Sequence, residues 1–276
     1  MKLITHLRPA IAGALSLFLI AGCSSASDVR SGSGPSTTAA ETTTTVRPSD
    51  EAAETTTTAA SAAGPSDPKS LLIQGSVSIP AGEAGQLSVV FVGQPYGEFG
   101  SSVPVIVRNN TAEAVTNLEI TGTARAADGA LAGSGSSQGF EPAVLEPGEW
   151  GFGYIYFDTT LPAGAKVEAT ARGDHESDSE LFGDVILVPQ EVNAVAGEFG
   201  SRSYVGIVAS PGDVEATTGS VSVEIACFDE ASNLIEVFSG YADGEVVPGG
   251  TASFSVEAYE APECAATAVG ASGYSL

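Results

Sequence analysis

Downstream of residue 22 the chain has one histidine, His175, set in Asp174-His175-Glu176-Ser177-Asp178-Ser179-Glu180, where acids fall at every second position. Calcium takes several carboxylate oxygens from a flexible loop, which makes Asp174, Glu176, Asp178 and Glu180 a calcium candidate. The run lacks the sixth-position glycine and the closing glutamate of an EF-hand loop. On a strand the four acids would share one face and repel one another, and the competing reading is a solvated acidic linker. Serine hydrolysis needs a base held against its nucleophile, and His175 lies among acids, away from any Gly-x-Ser-x-Gly elbow. Lys69 and Lys166, the lysines open to a Ser–Lys pair, fall in a low-complexity segment and at a strand end. No catalytic set assembles, so the expectation is a protein that is not an enzyme and carries no cofactor.

Of the three cysteines, Cys227 and Cys264 stand 37 positions apart. In an oxidising compartment such a pair reads as one disulfide, stabilising by about 3–4 kcal/mol in the chain-entropy account. A metal site is the other use, but no further His or Cys lies near them. Trp150, Phe152, Tyr154 and Tyr156 recur at a spacing of two, so a strand turns all four to one side and Gly151, Gly153, Ile155 and Phe157 to the other. Two readings stay open. The stripe is the core face of a sandwich, or it is an exposed binding face for sugar rings or a partner's apolar patch, with Ile155 and Phe157 turned inward.

Strands must position these groups. From Leu71 onward, short runs rich in Val, Ile, Phe and Tyr alternate with Gly, Pro, Asn and Asp. They are 87–92, 103–108, 118–125, 151–157, 166–171, 184–188, 204–208, 221–228, 234–238, 252–258 and 265–269. No long stretch shows a 3.6-residue period with caps. The pentapeptide Gly-Glu-Phe-Gly-Ser occurs at 97–101 and again at 197–201, each time just before an apolar strand. Asp128-Gly129 then answers to Asp229-Glu230, and Pro147-Gly148 to Pro248-Gly249, at an offset of 100 to 102. An ordered series at constant offset indicates a duplication. Glycine in the pentapeptide permits a tight turn, Phe99 and Phe199 are expected to plug the open end of each sandwich, and Glu98 and Glu198 to stay solvated. A paired ligand site is the other reading. The fold class expected is all-β: two tandem antiparallel immunoglobulin-like sandwiches, residues 71–183 and 184–276.

The landmark order resembles the FxLYD domain, a small immunoglobulin-like sandwich of bacterial surface lipoproteins. Arg108-Asn109-Asn110, Asp128-Gly129 and Leu145-Glu146-Pro147-Gly148-Glu149 carry the likeness in the first copy, Phe228-Asp229 and Val247-Pro248-Gly249 in the second. Ile225-Ala226-Cys227-Phe228-Asp229 is a loose version of the naming motif, and 124–128 keeps only the Asp. The resemblance implies the sandwich fold and no catalytic residues.

At the other end, Lys2 and Arg8 precede an apolar run from Ala10 to Ala21, the layout of a secretory signal and too short for a stable membrane span. Leu19-Ile20-Ala21-Gly22-Cys23 resembles a bacterial lipobox. That resemblance implies loss of residues 1–22, palmitate or a similar acyl chain on Cys23, and a lipid anchor on the extracytoplasmic face of the cell membrane. An ordinary signal peptide with an incidental Cys23 is the alternative. Residues 23–70 form a Ser/Thr/Ala/Pro-rich linker expected to be disordered, averaging about 35–40 Å end to end. Without Lys2 and Arg8 the chain has 34 acids against 8 bases, a balance that opposes nucleic acid. The expectation is a lipid-anchored interaction module of the cell envelope with a protein or glycan partner, the alternative a structural spacer or assembly factor.

Overall fold

The computed structural model describes residues 67–175, 184–197, 200–211, 221–259 and 261–274. Thirteen strands lie among them: β1 Leu72–Gln74, β2 Leu87–Val92, β3 Ser101–Asn109, β4 Val115–Arg125, β5 Leu131–Glu141, β6 Trp150–Phe157 and β7 Lys166–His175, then β8 Asp184–Ala196, β9 Arg202–Ala209, β10 Ser222–Phe228, β11 Leu234–Tyr241, β12 Thr251–Ala258 and β13 Ala266–Tyr274. No α-helix occurs among the described residues. All pairings are antiparallel, and they make two sheets, each wrapped around its own core. Val103, Val105, Val107, Ile120, Ile155 and Phe157 fill the first. Tyr204, Val223, Ile225, Phe254, Val256 and Val269 fill the second.

The two repeats share one cyclic strand order but open it at different places. The first sheet runs β2-β3-β6-β5-β4-β7. The second runs β12-β9-β8-β13-β10-β11, which is the same circle with β8 to β13 standing for β2 to β7. Repeat one is therefore closed through β5–β6 and unpaired between β2 and β7. Repeat two is closed through β8–β13, and its β11 and β12 meet only near one bridge, Ala242 to Phe254. The local cause in repeat two is legible. β8 pairs β13 through 184–187, then transfers to β9, and the register shifts between Pro189 and Glu191. Proline has no N–H for the ladder, so it suits such a bulge. In repeat one β5 bridges in the same way: 131–136 pair β4, and 136–141 pair β6 with a shift between Ser137 and Phe140.

Two strands were not visible as apolar runs. β5 reads Leu-Ala-Gly-Ser-Gly-Ser-Ser-Gln-Gly-Phe-Glu, poor in β-formers, and is held because strands flank it on both sides. Two of its glycines are needed for approach: a Cβ on Gly135 would overlap the Tyr156 carbonyl, and one on Gly139 the Glu224 carboxyl group. β1 belongs to the sheet of the second repeat, although it precedes the first in sequence. Leu72, Ile73 and Gln74 pair with Val269, Ala268 and Thr267, so the division at 183/184 does not hold for this strand. Residues 67–80 act as a strap across both repeats. Lys69 N donates to Glu149 Oε1, Gln74 Nε2 to the Val192 carbonyl, and the buried Arg108 guanidinium to the carbonyls of Ile79 and Pro80.

The disulfide forms between Cys227 and Cys264, with Cα atoms 5.2 Å apart. Cys227 is fully buried in the second core, and Tyr204 Oη lies 3.3 Å from Cys264 Sγ.

The Gly-Glu-Phe-Gly-Ser turn behaves differently from expectation at its phenylalanine. Phe99 is 93% exposed and plugs nothing. The turn is held through its backbone instead: Tyr156 Oη donates to the Phe99 carbonyl and Thr160 Oγ1 to that of Glu98. Gly100 has φ 133°, and a Cβ there would stand 2.6 Å from Tyr156 Oη. In the second copy Glu198 and Phe199 lie outside the described residues, and Gly200 has φ 81°.

Candidate functional site

The outer face of β10, β11 and β13 carries rows of side chains set by register. Ala226 lies between Val237 and Ala268, Glu224 between Ser239 and Gly270, and Ser222 between Tyr241 and Ser272. The face thus grades from apolar, through one buried acid, to hydroxyl-bearing. β6 of the first repeat lies over the apolar end. Trp150 and Phe152, fully buried, pack with Ala226, Phe228, Val237 and Ala268, and Trp150 meets Phe228 edge to face. Trp150 Nε1 donates to Asp67 Oδ1 at 3.2 Å.

This corrects the first reading of the aromatic stripe. Ile155 and Phe157 do face the core of repeat one, so the stripe points away from that core. Its apolar partner is the chain's own second repeat, which leaves Trp150 and Phe152 no surface to offer a ligand. Tyr154 sits half-buried at the margin, its hydroxyl titration pushed up by burial and by Glu224. Tyr156 caps the turn at Phe99.

Further along the junction, Tyr96 closes the edge of β11. Its hydroxyl donates to the Val237 carbonyl at 3.2 Å and accepts from Val237 N at 3.3 Å, satisfying both backbone groups of an edge residue. Burial raises the Tyr96 hydroxyl's pKa and also that of Glu236.

Past the apolar contact the repeats part to leave a cleft of about 560 Å³. Glu141, 1% exposed, lines it and accepts a 2.6 Å hydrogen bond from Ser272 Oγ. Ser137, Gln138 and Ser222 add polar lining, Leu118, Phe140 and Tyr241 apolar surface. Glu224 shares the Ser222 side of β10, two residues inward, and is 2% exposed. It sits under Gly139, where any Cβ would overlap its Oε1. Burial lifts the Glu224 carboxyl to about 8, against a lowering hydrogen bond from Ser239. Its Oε2 has no hydrogen-bond partner among the described residues. A second depression, lined by Lys69, Glu146, Glu149 and Ile186, differs in this respect: Glu149 accepts at both oxygens, from Lys69 N and Glu146 N.

The remaining candidates do not converge on this cleft. Of the acidic run, Asp174 accepts from Asn117 Nδ2 at 3.3 Å and His175 Nδ1 lies 3.1 Å from Glu113 Oε2. Glu176, Asp178 and Glu180 lie outside the described residues, as does Cys23. Among the described residues no three His, Cys, Asp or Glu side chains gather as a metal set. Glu141, Glu224, Ser272 and Tyr241 carried no sequence signal. Two glutamates among 34 acids are indistinguishable until topology buries them. In β10, Val223, Ile225 and Cys227 face the core of their own repeat, so Glu224 faces out of it, and only the packing of the first repeat buries it.

No known family model matches the chain, and no curated protein is similar to it.

Proposed function

We propose that the protein is a lipid-anchored binding module of the bacterial cell envelope, held through Cys23 on the extracytoplasmic face and offering the cleft between its repeats to an envelope ligand. The observation that carries this reading is the junction itself. Its apolar part, around Trp150, Phe152 and Phe228, joins the repeats, while the adjoining part stays open and polar around Glu141. Small-molecule sites have volumes of roughly 300–1,000 Å³ and commonly lie at domain interfaces, and this cleft falls in that range. The lipobox-like residues 19–23 support the anchor, and the long Thr/Ala/Ser segment supports a tether that lets the body reach into the envelope. The likeness to FxLYD domains agrees with a surface lipoprotein that performs no catalysis.

Two measurements test it. Palmitate labelling and fractionation should place the wild-type protein in the membrane and Cys23→Ser in the soluble fraction. Immobilised residues 67–276 should retain a component of envelope extract that Gln138→Trp, an exposed residue at the cleft, fails to retain. Equal retention by both, or none by either, leaves the spacer reading in its place.

A further inference from the structure

We infer that the protein forms a two-fold symmetric dimer through the edge of β7, which pairs antiparallel with β7 of a second copy and has Thr170 at the axis. The inference does not depend on the inter-repeat cleft.

β7 ends the first sheet. It pairs with β4 on one side and has no ladder partner on the other among the described residues. A groove of about 370 Å³ lies between its middle, 169–171, and residues 87–90 of β2. Val167, Ala169 and Ala171 turn inward onto the core of the first repeat, while Lys166, Glu168, Thr170, Arg172 and Asp174 are exposed. An unpaired edge is a template for a further strand unless a proline, a bulge or charge blunts it. β7 holds no proline, and the register shift in its ladder puts the extra residue on β4, between Thr116 and Glu119. Only its charges stand guard, and their signs admit one partner.

The exposed row Lys166, Glu168, Thr170, Arg172, Asp174 is complementary to its own reverse. Antiparallel pairing centred on Thr170 sets Lys166 opposite Asp174 of the second copy and Glu168 opposite Arg172, and the symmetry repeats both pairs. Directly opposed Cβ atoms lie about 4.5–5.5 Å apart, close enough for ion pairs. A slip of two residues one way sets Lys166 against Arg172, and the other way Glu168 against Asp174. A slip of one turns the inward side chains out, and an in-register parallel pair sets each charge against its like. Within one chain, Lys166 stands opposite Arg125 and Glu168 opposite Thr123, and neither makes an ion pair among the described residues. Each gains one across the axis. Arg172, already paired with Glu119, meets Glu168 of the second copy from its other side. The chain's 34 acids oppose self-association in general, but this row carries two charges of each sign and is balanced.

The test is sedimentation equilibrium of residues 67–276, which keep every described contact, joined to cysteine cross-linking. A concentration-dependent dimer is expected, and added salt should weaken it. Asp174→Lys turns two favourable pairs repulsive and should raise the dissociation constant about tenfold. Lys166→Asp combined with Asp174→Lys should restore the dimer. Thr170→Cys should cross-link through a short bismaleimide, whereas Thr121→Cys, exposed one strand further from the axis, should not. A monomer at every concentration overturns the inference. So does a dimer that Asp174→Lys leaves unchanged, one that the double variant fails to restore, or equal cross-linking from positions 121 and 170.

Discussion

Trp150 of the first repeat and Phe228 of the second meet with ring centroids 6.2 Å apart and planes at 90°. The negative face of one ring receives the positive edge of the other, a geometry that contributes about 0.5–1.5 kcal/mol beyond burial. Trp150 is therefore a fastener between sandwiches. Trp150→Ala should lower unfolding free energy by about 3–5 kcal/mol, the usual range for a buried aromatic. Chemical denaturation of residues 67–276 measures this, and a loss under 1 kcal/mol would contradict the packing.

Glu224 gives the junction a pH dependence of definite sign. Its folded carboxyl titrates near 8, above the ordinary 4.5, so the folded state keeps a proton that the unfolded chain releases. Its contribution is complete below about pH 4.5 and declines as pH rises to about 8. Glu224→Gln stays neutral throughout. Melting temperatures from pH 5 to 8 should fall in the wild type relative to the variant; parallel curves would show that Glu224 is not held neutral.

Cys227 and Cys264 close a loop of 37 residues within the second core. Cys227→Ser with Cys264→Ser, or reduction of the wild type, should remove about 3–4 kcal/mol. The measurement is a denaturant midpoint with and without reductant, and the double variant should be insensitive to the reductant.

The strap predicts a sharp truncation boundary. Removing residues 1–66 leaves every described contact in place. Removing residues 1–74 deletes β1, Leu71 and the Asp67 acceptor of Trp150 Nε1. The shorter deletion should melt as the full chain does, and the longer one several degrees lower; coincident melts would assign the strap no structural weight.

The repeated pentapeptide separates into parts with opposite tolerance. Phe99→Ser, at a solvent-facing side chain, should change stability by less than about 0.5 kcal/mol. Gly100→Ala forces a Cβ toward Tyr156 Oη and the Phe157 carbonyl at φ 133°, and should cost more than 1 kcal/mol. Denaturation of the two variants ranks them, and the reverse ranking would restore Phe99 as a packing residue.

What the sequence made legible follows from how local each signal is. The all-β class and the duplication rest on turn residues such as Pro147-Gly148 and Pro248-Gly249, which act within four positions of themselves. The disulfide rests on counting. β5 escaped because Gly135 and Gly139 are fixed by what lies against them, the Tyr156 carbonyl and the Glu224 carboxyl group, and carry no strand propensity. The period of two in β6 showed which residues share a face; it held nothing about a second sheet lying against that face. Glu141 and Glu224 gain their character only when β5 and β10 are brought together, a non-local event.

The pairing of β1 with β13 also constrains the order of folding. Leu72 is among the first strand residues synthesised, yet its partner Val269 follows almost two hundred positions later. Closing so long a loop directly is entropically unfavourable and slow. Prior folding of the first repeat shortens the effective path, because it holds the strap against Glu149 and Arg108 before β13 arrives. A nascent chain that stops before β13 lacks Ala266 and Ala268, two of the buried residues that the Leu71 and Ile73 side chains pack with, so the strap is complete only when the last strand is in place.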